Sequence, residues 1–284
     1  MKYHTPVLLQ EVIDTFDPQA NDIFIDCTVG NGGHSLELTQ HGSVVYGLDQ
    51  DPTNLQIATD RINSPLFIPI NKNFNQLNEV ISQIDKPIKG ILFDLGLSSN
   101  QLLSQNRGFS FNDNQSLDMR LDPDTQELTA EEIINTYHYE ELCEIFTLYA
   151  QETYSKPLSI RIIKERQKKP IKDGERLANI IRDYYQSKHI RTTIDPSTKI
   201  FMALRIVVNN EIENLKNTLK LTLNPKLSGT TIAIISFHSG EDRIVKQFIK
   251  ANFPNAPKAI LPTTLEIRNN PLSRSAVLRS YRIS

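Results

Sequence analysis

Apolar residues in the first third of the chain fall in short blocks, and most of these end at an aspartate. Ile23-Phe24-Ile25 stops at Asp26, Val44-Val45-Tyr46-Gly47-Leu48 at Asp49, and Ile91-Leu92-Phe93 at Asp94, with a further block from Leu66 to Ile70. Blocks of this length read as buried strands. Helical stretches separate them, one through Leu36 and Leu38 after a glycine loop. Another begins at Asp51, a natural N-cap followed by Pro52 in the first helical position. Strands alternating with helices imply parallel pairing through helical crossovers, so the predicted fold class is α/β with a doubly wound, mostly parallel sheet.

The alternation stops near Leu102 and no strand pattern returns before Asp195. RGFSF and SLDMRLDPD read as loop, and Thr129-Ala-Glu-Glu132 has the form of a capping box opening a helix. Helical patterns run from Ile133 to Tyr149, Leu158 to Ile163 and Leu177 to Tyr185. Asp195-Pro196 then starts what reads as one long helix, with Phe201, Leu204, Val208, Ile212, Leu215 and Leu219 at spacings of three and four. Ile232-Ala233-Ile234-Ile235 is a fifth buried strand, followed by SFHSGEDR, a helix through Val245 and Phe248, and two short strands near Ala259-Ile260 and Ala276-Val277-Leu278. The sheet domain is therefore built from both ends of the chain, residues 1–101 and 196–284, around a helical insertion at 102–195.

Charge adds a second pattern to this frame. The net charge of −2 hides ten acids against Arg120 alone between Asp118 and Glu152. Between Ser155 and Thr193, eleven Lys and Arg face four acids, and the tail from Thr264 carries four arginines against Glu266. Such stretches are either solvated helix faces or phosphate-contacting surfaces. The start MKYHTPVLLQEV lacks the layout of a signal peptide, and no apolar run approaches the roughly 20 residues of a membrane span. Cys27 and Cys143 read as two reduced thiols of a cytoplasmic protein. The six histidines show no i, i+4 pair and no cysteine partner, so no metal is expected.

Ligands of open parallel sheets bind beyond the carboxyl ends of the strands, which points to DCTVGNGGHS. Gly30 and Gly32 begin a dinucleotide-type G-x-G-x-x-G, but Ser35 stands at the third glycine. Asp26 opens the loop, and a carboxylate suits a cation better than a pyrophosphate. S-adenosylmethionine carries an ammonium and a sulfonium and no phosphate. Asp49, nineteen residues after Gly30, has the spacing of an acid that bonds both ribose hydroxyls. Its plainer reading, a cap for the next helix, is already filled by Asp51.

At this point HTPVLLQEV, DCTVGNGGHS, GLDQDP, GILFDLGLSSNQL, RGFSF, LDMRLDP, ALRIVVNNEIENL, ISFHSGEDRIVKQF and NPLSRSAVLR together resemble the 16S rRNA cytosine-N4 methyltransferases (RsmH or MraW type). They occur in family order from near residue 4 to near residue 279. The resemblance thins between Glu127 and Asp195. Two departures bear on substrate docking: Gly240 replaces a larger apolar residue, and AQETYSKPLSIRI replaces a more charged pattern. The resemblance implies a class I Rossmann-like methyltransferase with an inserted all-helical, RNA-recognising domain. It assigns Gly32, Gly33 and His34 to the S-adenosylmethionine loop, Asp49 to the ribose, Phe74 and Asp94 to the adenine surroundings, and Gln101 to the segment past the fourth strand. It further implies small-subunit rRNA as partner, within the assembled subunit, and leaves a homodimer open.

The implied reaction is methylation of a cytidine amine in the decoding region. That nitrogen is conjugated with its ring, so catalysis requires alignment, an acceptor for the amine hydrogens and exclusion of water. Asp94-Leu-Gly-Leu-Ser-Ser stands where many amino-methyltransferases carry an acid followed by Pro-Pro-aromatic. Asp94, Ser98 and Ser99 are therefore the candidate catalytic residues. Carbon-5 methylation would need a cysteine nucleophile, and no Pro-Cys signature flanks Cys27 or Cys143. Arg107, Asp118, Arg120, His238 and Arg274 are candidates for substrate contact. The alternatives are a methyltransferase acting on another RNA or a protein, and a non-catalytic S-adenosylmethionine-binding assembly factor.

Overall fold

A computed structural model describes residues 5–98, 100–101, 107–111 and 113–284. These residues divide into two compact units, one of residues 1–99 with 212–284 and one of residues 100–211.

In the first unit six strands form one sheet: β1 (Ile23–Asp26), β2 (Val44–Asp49), β3 (Phe67–Asn71), β4 (Gly90–Asp94), β5 (Thr231–Ser236) and β6 (Val277–Arg282). Their order is β3-β2-β1-β4-β5-β6, all parallel except β6, which runs antiparallel to β5. Neighbouring residues of a strand supply opposite faces. Ile23, Ile25, Ile91, Phe93, Ile232 and Ile234 enter one apolar cluster, while Phe24, Leu92, Ala233 and Ile235 enter the other. A sheet buried on both faces needs unbroken apolar strands, which explains why these segments do not alternate.

Helices cover both faces. Those at α1 (Leu9–Phe16), α2 (Gly33–Gln40) and α3 (Pro52–Ile62) send Val12, Phe16, Leu38, Ala58 and Ile62 into the second cluster. α4 (Leu77–Ser82) contributes Leu77, Val80 and Ile81 to the first cluster. Asp51 caps α3, its Oδ1 accepting the Thr53 N–H at 3.0 Å with Pro52 at the first helical position. Of the two short terminal strands expected, the one near Ala276-Val277-Leu278 is β6, which begins at Val277, but Ile260 makes only an isolated bridge to Leu278.

The second unit contains α5 (Ala130–Thr136), α6 (Tyr139–Leu148), α7 (Ser155–Lys168), α8 (Gly174–Ser187) and α9 (Ser197–Val208). Thr129 caps α5 through the Glu132 N–H at 3.1 Å. The long helix expected from Asp195 to Leu219 is two helices, α9 and, returning to the sheet unit, α10 (Glu211–Leu221). The break falls at Asn209-Asn210. Asn210 adopts φ 50°, and the Asn209 side chain donates to Met119 O at 2.8 Å and accepts the Leu121 N–H at 2.9 Å. These bonds brace the 119–121 loop, and they override an apolar periodicity that runs on unbroken. After β5 the chain forms α11 (Ser239–Asn252) and α12 (Thr264–Asn269); α10 and α11 add Leu215, Leu219 and Val245 to the first cluster.

Candidate active site

The carboxyl ends of β1, β2 and β4 place Asp26, Asp49 and Asp94 around the loop between β1 and α2. Asp26 is 1% exposed. Its Oδ1 accepts the Thr28 N–H at 3.1 Å and its Oδ2 the Ser35 hydroxyl at 2.6 Å. Burial outweighs these bonds and pushes the carboxyl up to about 6. Asp49 closes the loop directly, accepting the Gly30 N–H at 2.8 Å on Oδ2 and the Asp51 N–H at 2.8 Å on Oδ1. Asn54 adds a weaker bond at 3.4 Å, and burial lifts Asp49 to about 7. Oδ2 thus accepts two bonds and Oδ1 one, so Oδ1 keeps further acceptor capacity.

Two glycines are required by the packing here. Gly32 has φ 75°, and a Cβ on it would come within 3.0 Å of Ala58 and Ile62. A Cβ on Gly33 would meet Pro6 Cγ at 2.3 Å, so the segment before α1 could not lie across the start of α2. That closeness serves His34. Its buried ring holds Nε2 at 3.1 Å from Val7 O, and Nδ1 at 3.6 Å from Asp94 Oδ2. The carbonyl can only accept, so the neutral ring carries its proton on Nε2. Burial holds the imidazole down to about 4.

Asp94 is the least satisfied group of the site. Its backbone N–H donates to Thr28 Oγ1 at 2.6 Å, but its buried Oδ1 has no hydrogen-bond partner among the described residues. Burial, and then the carboxylates of Asp26 and Glu241, push Asp94 well above the usual carboxylate range. Ser98 follows in the same loop, its hydroxyl donating to Asn54 Oδ1 at 2.9 Å. Ser99 lies outside the described residues. Phe74, in the turn after β3, is half-buried and meets Phe93 edge-on at 6.1 Å. No local pattern marked Asn31, whose buried Oδ1 also has no partner among the described residues, or Glu241 as an electrostatic neighbour of Asp94.

His238 caps α11, its Nδ1 accepting the N–H of Gly240 at 3.2 Å and of Glu241 at 3.4 Å. A Cβ on Gly240 would lie 2.9 Å from that nitrogen, so a larger residue here would have to displace the His238 ring. Arg274 is exposed in the turn before β6. In the helical unit Gln101 is buried, and Arg107 donates to the carbonyls of Arg120 and Leu121 while lying over the Phe109 ring. Arg120 forms a two-pronged pair with Asp118, both contacts at 2.8 Å, and also donates to Gln126 O. Among the described residues no group of three or more His, Cys, Asp or Glu gathers as a metal site, and no helix is long and apolar enough to cross a membrane.

A parallel sheet of this order, with its glycine loop after β1 and an acid ending β2, defines the Rossmann-like methyltransferase class. The MraW methylase family matches residues 1–284. Ribosomal RNA small subunit methyltransferase H of Desulfosudis oleivorans is 35% identical over 305 aligned positions, covering 98% of this chain and 97% of the relative. The protein of the same name from Syntrophotalea carbinolica is 36% identical over 306 positions, with the same coverage. Among solved structures, an rRNA methylase from Streptococcus thermophilus gives a TM-score of 0.42 at 12% identity, over 99% of both chains.

The chain belongs to the MraW methylase family. It is a methyltransferase, and S-adenosylmethionine is its methyl donor. The site suits that donor: the raised carboxyls of Asp26, Asp49 and Asp94 would each gain from a cation, and Asp94 Oδ1 has no partner among the described residues.

Proposed function

We propose that this enzyme methylates the exocyclic N4 amine of a cytidine in the decoding region of 16S rRNA, acting on the small ribosomal subunit in the cytoplasm. The observation that carries the chemistry is Asp94 Oδ1, buried where β4 runs into the DLGLSS loop and without a partner among the described residues. S-adenosylmethionine supplies an electrophilic methyl group. Asp49, fixed by Gly30 and Asp51, orients the donor's ribose, and Phe74 offers an apolar face to the adenine. His34, Gly32 and Gly33 shape the loop against the methionine portion.

The acceptor amine needs a group that takes its hydrogens as the nitrogen gains positive charge. Asp94 Oδ1 and the Ser98 oxygen are the acceptors we place there, with backbone carbonyls of the same loop as further partners. Donation to Asn54 commits the Ser98 proton, so toward the amine its oxygen would act as an acceptor. Exposed cations within part of the basic stretch between Lys156 and Arg191 contact rRNA phosphates in this reading. The test is mass-spectrometric mapping of 16S rRNA from a deletion strain, paired with single-turnover assays on isolated subunits. Loss of the methyl group from one decoding-region cytidine, restored by the wild-type gene, is expected. A deletion strain with unchanged cytidine methylation, or cofactor binding with no turnover, overturns the proposal.

A further inference from the structure

The cations of the helical unit do not form a uniform face. Arg166 donates to the carbonyls of Ile134 and Tyr137, and Arg176 to those of Pro170 and Lys169. Arg182 pairs with Asp195, while Arg161 and Lys168 share Glu165. These side chains brace the helices. Lys156, Lys188 and Arg191 are instead exposed, with no acidic partner among the described residues.

Chain geometry gathers these three at one end of a helix pair. Tyr154, at the N-cap of α7, lies 6.1 Å from Tyr184 in the last turn of α8, so the start of one helix meets the end of the other. Lys156 is the second residue of α7. Lys188 stands four residues beyond Tyr184, on the same helical face. The chain then reverses through His189 at φ 54°, with the Ile190 N–H on Tyr185 O at 3.0 Å, which puts Arg191 just past the same end.

Tyr185 is the root of this cluster. It is buried, its hydroxyl donates to Glu152 Oε1 at 2.8 Å, and its ring meets Tyr154 at 5.7 Å and Tyr184 at 5.9 Å, both near edge-on. Tyr154 and Tyr184 sit above it, half-buried, and neither hydroxyl has a partner among the described residues. Glu152 is already committed to Tyr185, which leaves Asp183 as the exposed acid of this part of α8. Aromatic rings rooted in a core and flanked by uncommitted cations suit single-stranded nucleic acid: bases stack on rings while cations take phosphates.

We infer that Tyr154 and Tyr184 form a stacking platform for unpaired nucleotides of the RNA substrate, with Lys156, Lys188 and Arg191 holding the adjacent phosphates. This rests on the RNA reading above. The test measures binding of the full-length protein to an unpaired small-subunit rRNA fragment across a salt series, with melting curves for every variant. Tyr154→Leu with Tyr184→Leu is expected to weaken binding about tenfold or more, while the paired Tyr→Phe variant stays within about twofold. Lys156→Glu, Lys188→Glu and Arg191→Glu together should lower the salt slope by about two, from roughly 0.7 for each lost single-strand phosphate contact. Lys169→Glu with Lys172→Glu, exposed beyond the other end of α7, should lose much less.

A folded Leu pair that binds within about twofold of wild type overturns the platform. Equal losses at both ends of α7 overturn its location. Variants that keep RNA affinity but lose a ribosomal protein assign this face to protein instead. Wild-type protein with no RNA affinity overturns the functional reading along with it, whereas methylation mapped to a different nucleotide fails only that reading.

Discussion

Asp26→Asn tests whether the cofactor loop holds its carboxylates at an energetic cost. Burial lifts Asp26 from 3.8 to about 6. A carboxyl raised on folding stabilises the protein fully below pH 3.8, and that contribution is lost as pH rises through about 6. At about 1.36 kcal/mol per pH unit, the penalty for the ionised form reaches about 3 kcal/mol. Asparagine keeps an oxygen for the Thr28 N–H and an amide that can donate to Ser35 Oγ, yet stays neutral at every pH. The cofactor-free variant should therefore lie close to wild type near pH 4 and exceed it by about 2–3 kcal/mol near pH 8. Denaturant unfolding of both proteins across that range measures the difference. Subtraction removes most of the opposing contribution of His34, which is present above pH 6.5 and lost as pH falls through about 4. A difference that does not change with pH, or a variant less stable than wild type near pH 8, would refute the reasoning.

Three further outcomes are expected. Asp49→Ala should weaken S-adenosylmethionine binding by about 2–3 kcal/mol, since hydrogen bonds to a charged group fall in that range; a calorimetric loss under about threefold would contradict the ribose assignment. Cofactor affinity should fall as pH is lowered through about 7 and then about 6, as Asp49 and Asp26 become protonated and stop favouring a cation; affinity that is flat across this window argues against both carboxylates. Ser98→Ala should leave cofactor affinity intact while single-turnover rate drops about tenfold or more, near 1.4 kcal/mol of barrier; a rate within about twofold of wild type removes the hydroxyl from the mechanism.

The sheet was legible in the sequence because its central strands β1, β4 and β5 are buried on both faces, which forces unbroken apolar runs ending in polar residues. Asp26 and Asp94 stand at those ends for the same reason. The nineteen-residue interval between Gly30 and Asp49 proves to be a hydrogen bond, so the spacing carried a physical contact. Contacts between distant segments were not legible. Asn209 ends α9 by bonding to Met119 and Leu121, about ninety residues earlier, and nothing in the local apolar period announces it. Helix α1 is eight residues long, and the Leu8 N–H just before it bonds to Glu266, 258 positions away. Charged residues were the least legible. Arg120 could reach for a phosphate or for a neighbour, and only the folded loop shows it paired with Asp118.

The electrostatics of the loop couple folding to ligand binding. Asp26 faces the first turn of α2, whose Ser35 hydroxyl and aligned backbone dipoles offset part of its charge. The offset is incomplete, since Asp26, Asp49 and Asp94 all remain raised. Among the described residues no lysine or arginine acts on Asp26, Asp49 or Asp94; the charged groups that do act, Asp51 on Asp49 and Asp26 and Glu241 on Asp94, are acids. A cation entering this loop therefore favours the ionised carboxylates, releases protons near neutral pH and removes a penalty that the empty site bears. Ligand at about a hundred times its dissociation constant adds about 2.7 kcal/mol of stability by mass action. The Asp26→Asn variant should forgo much of that gain while starting from a more stable ligand-free state. Stability and affinity are thus opposed at one residue, as expected when a buried charge is retained for binding rather than for folding.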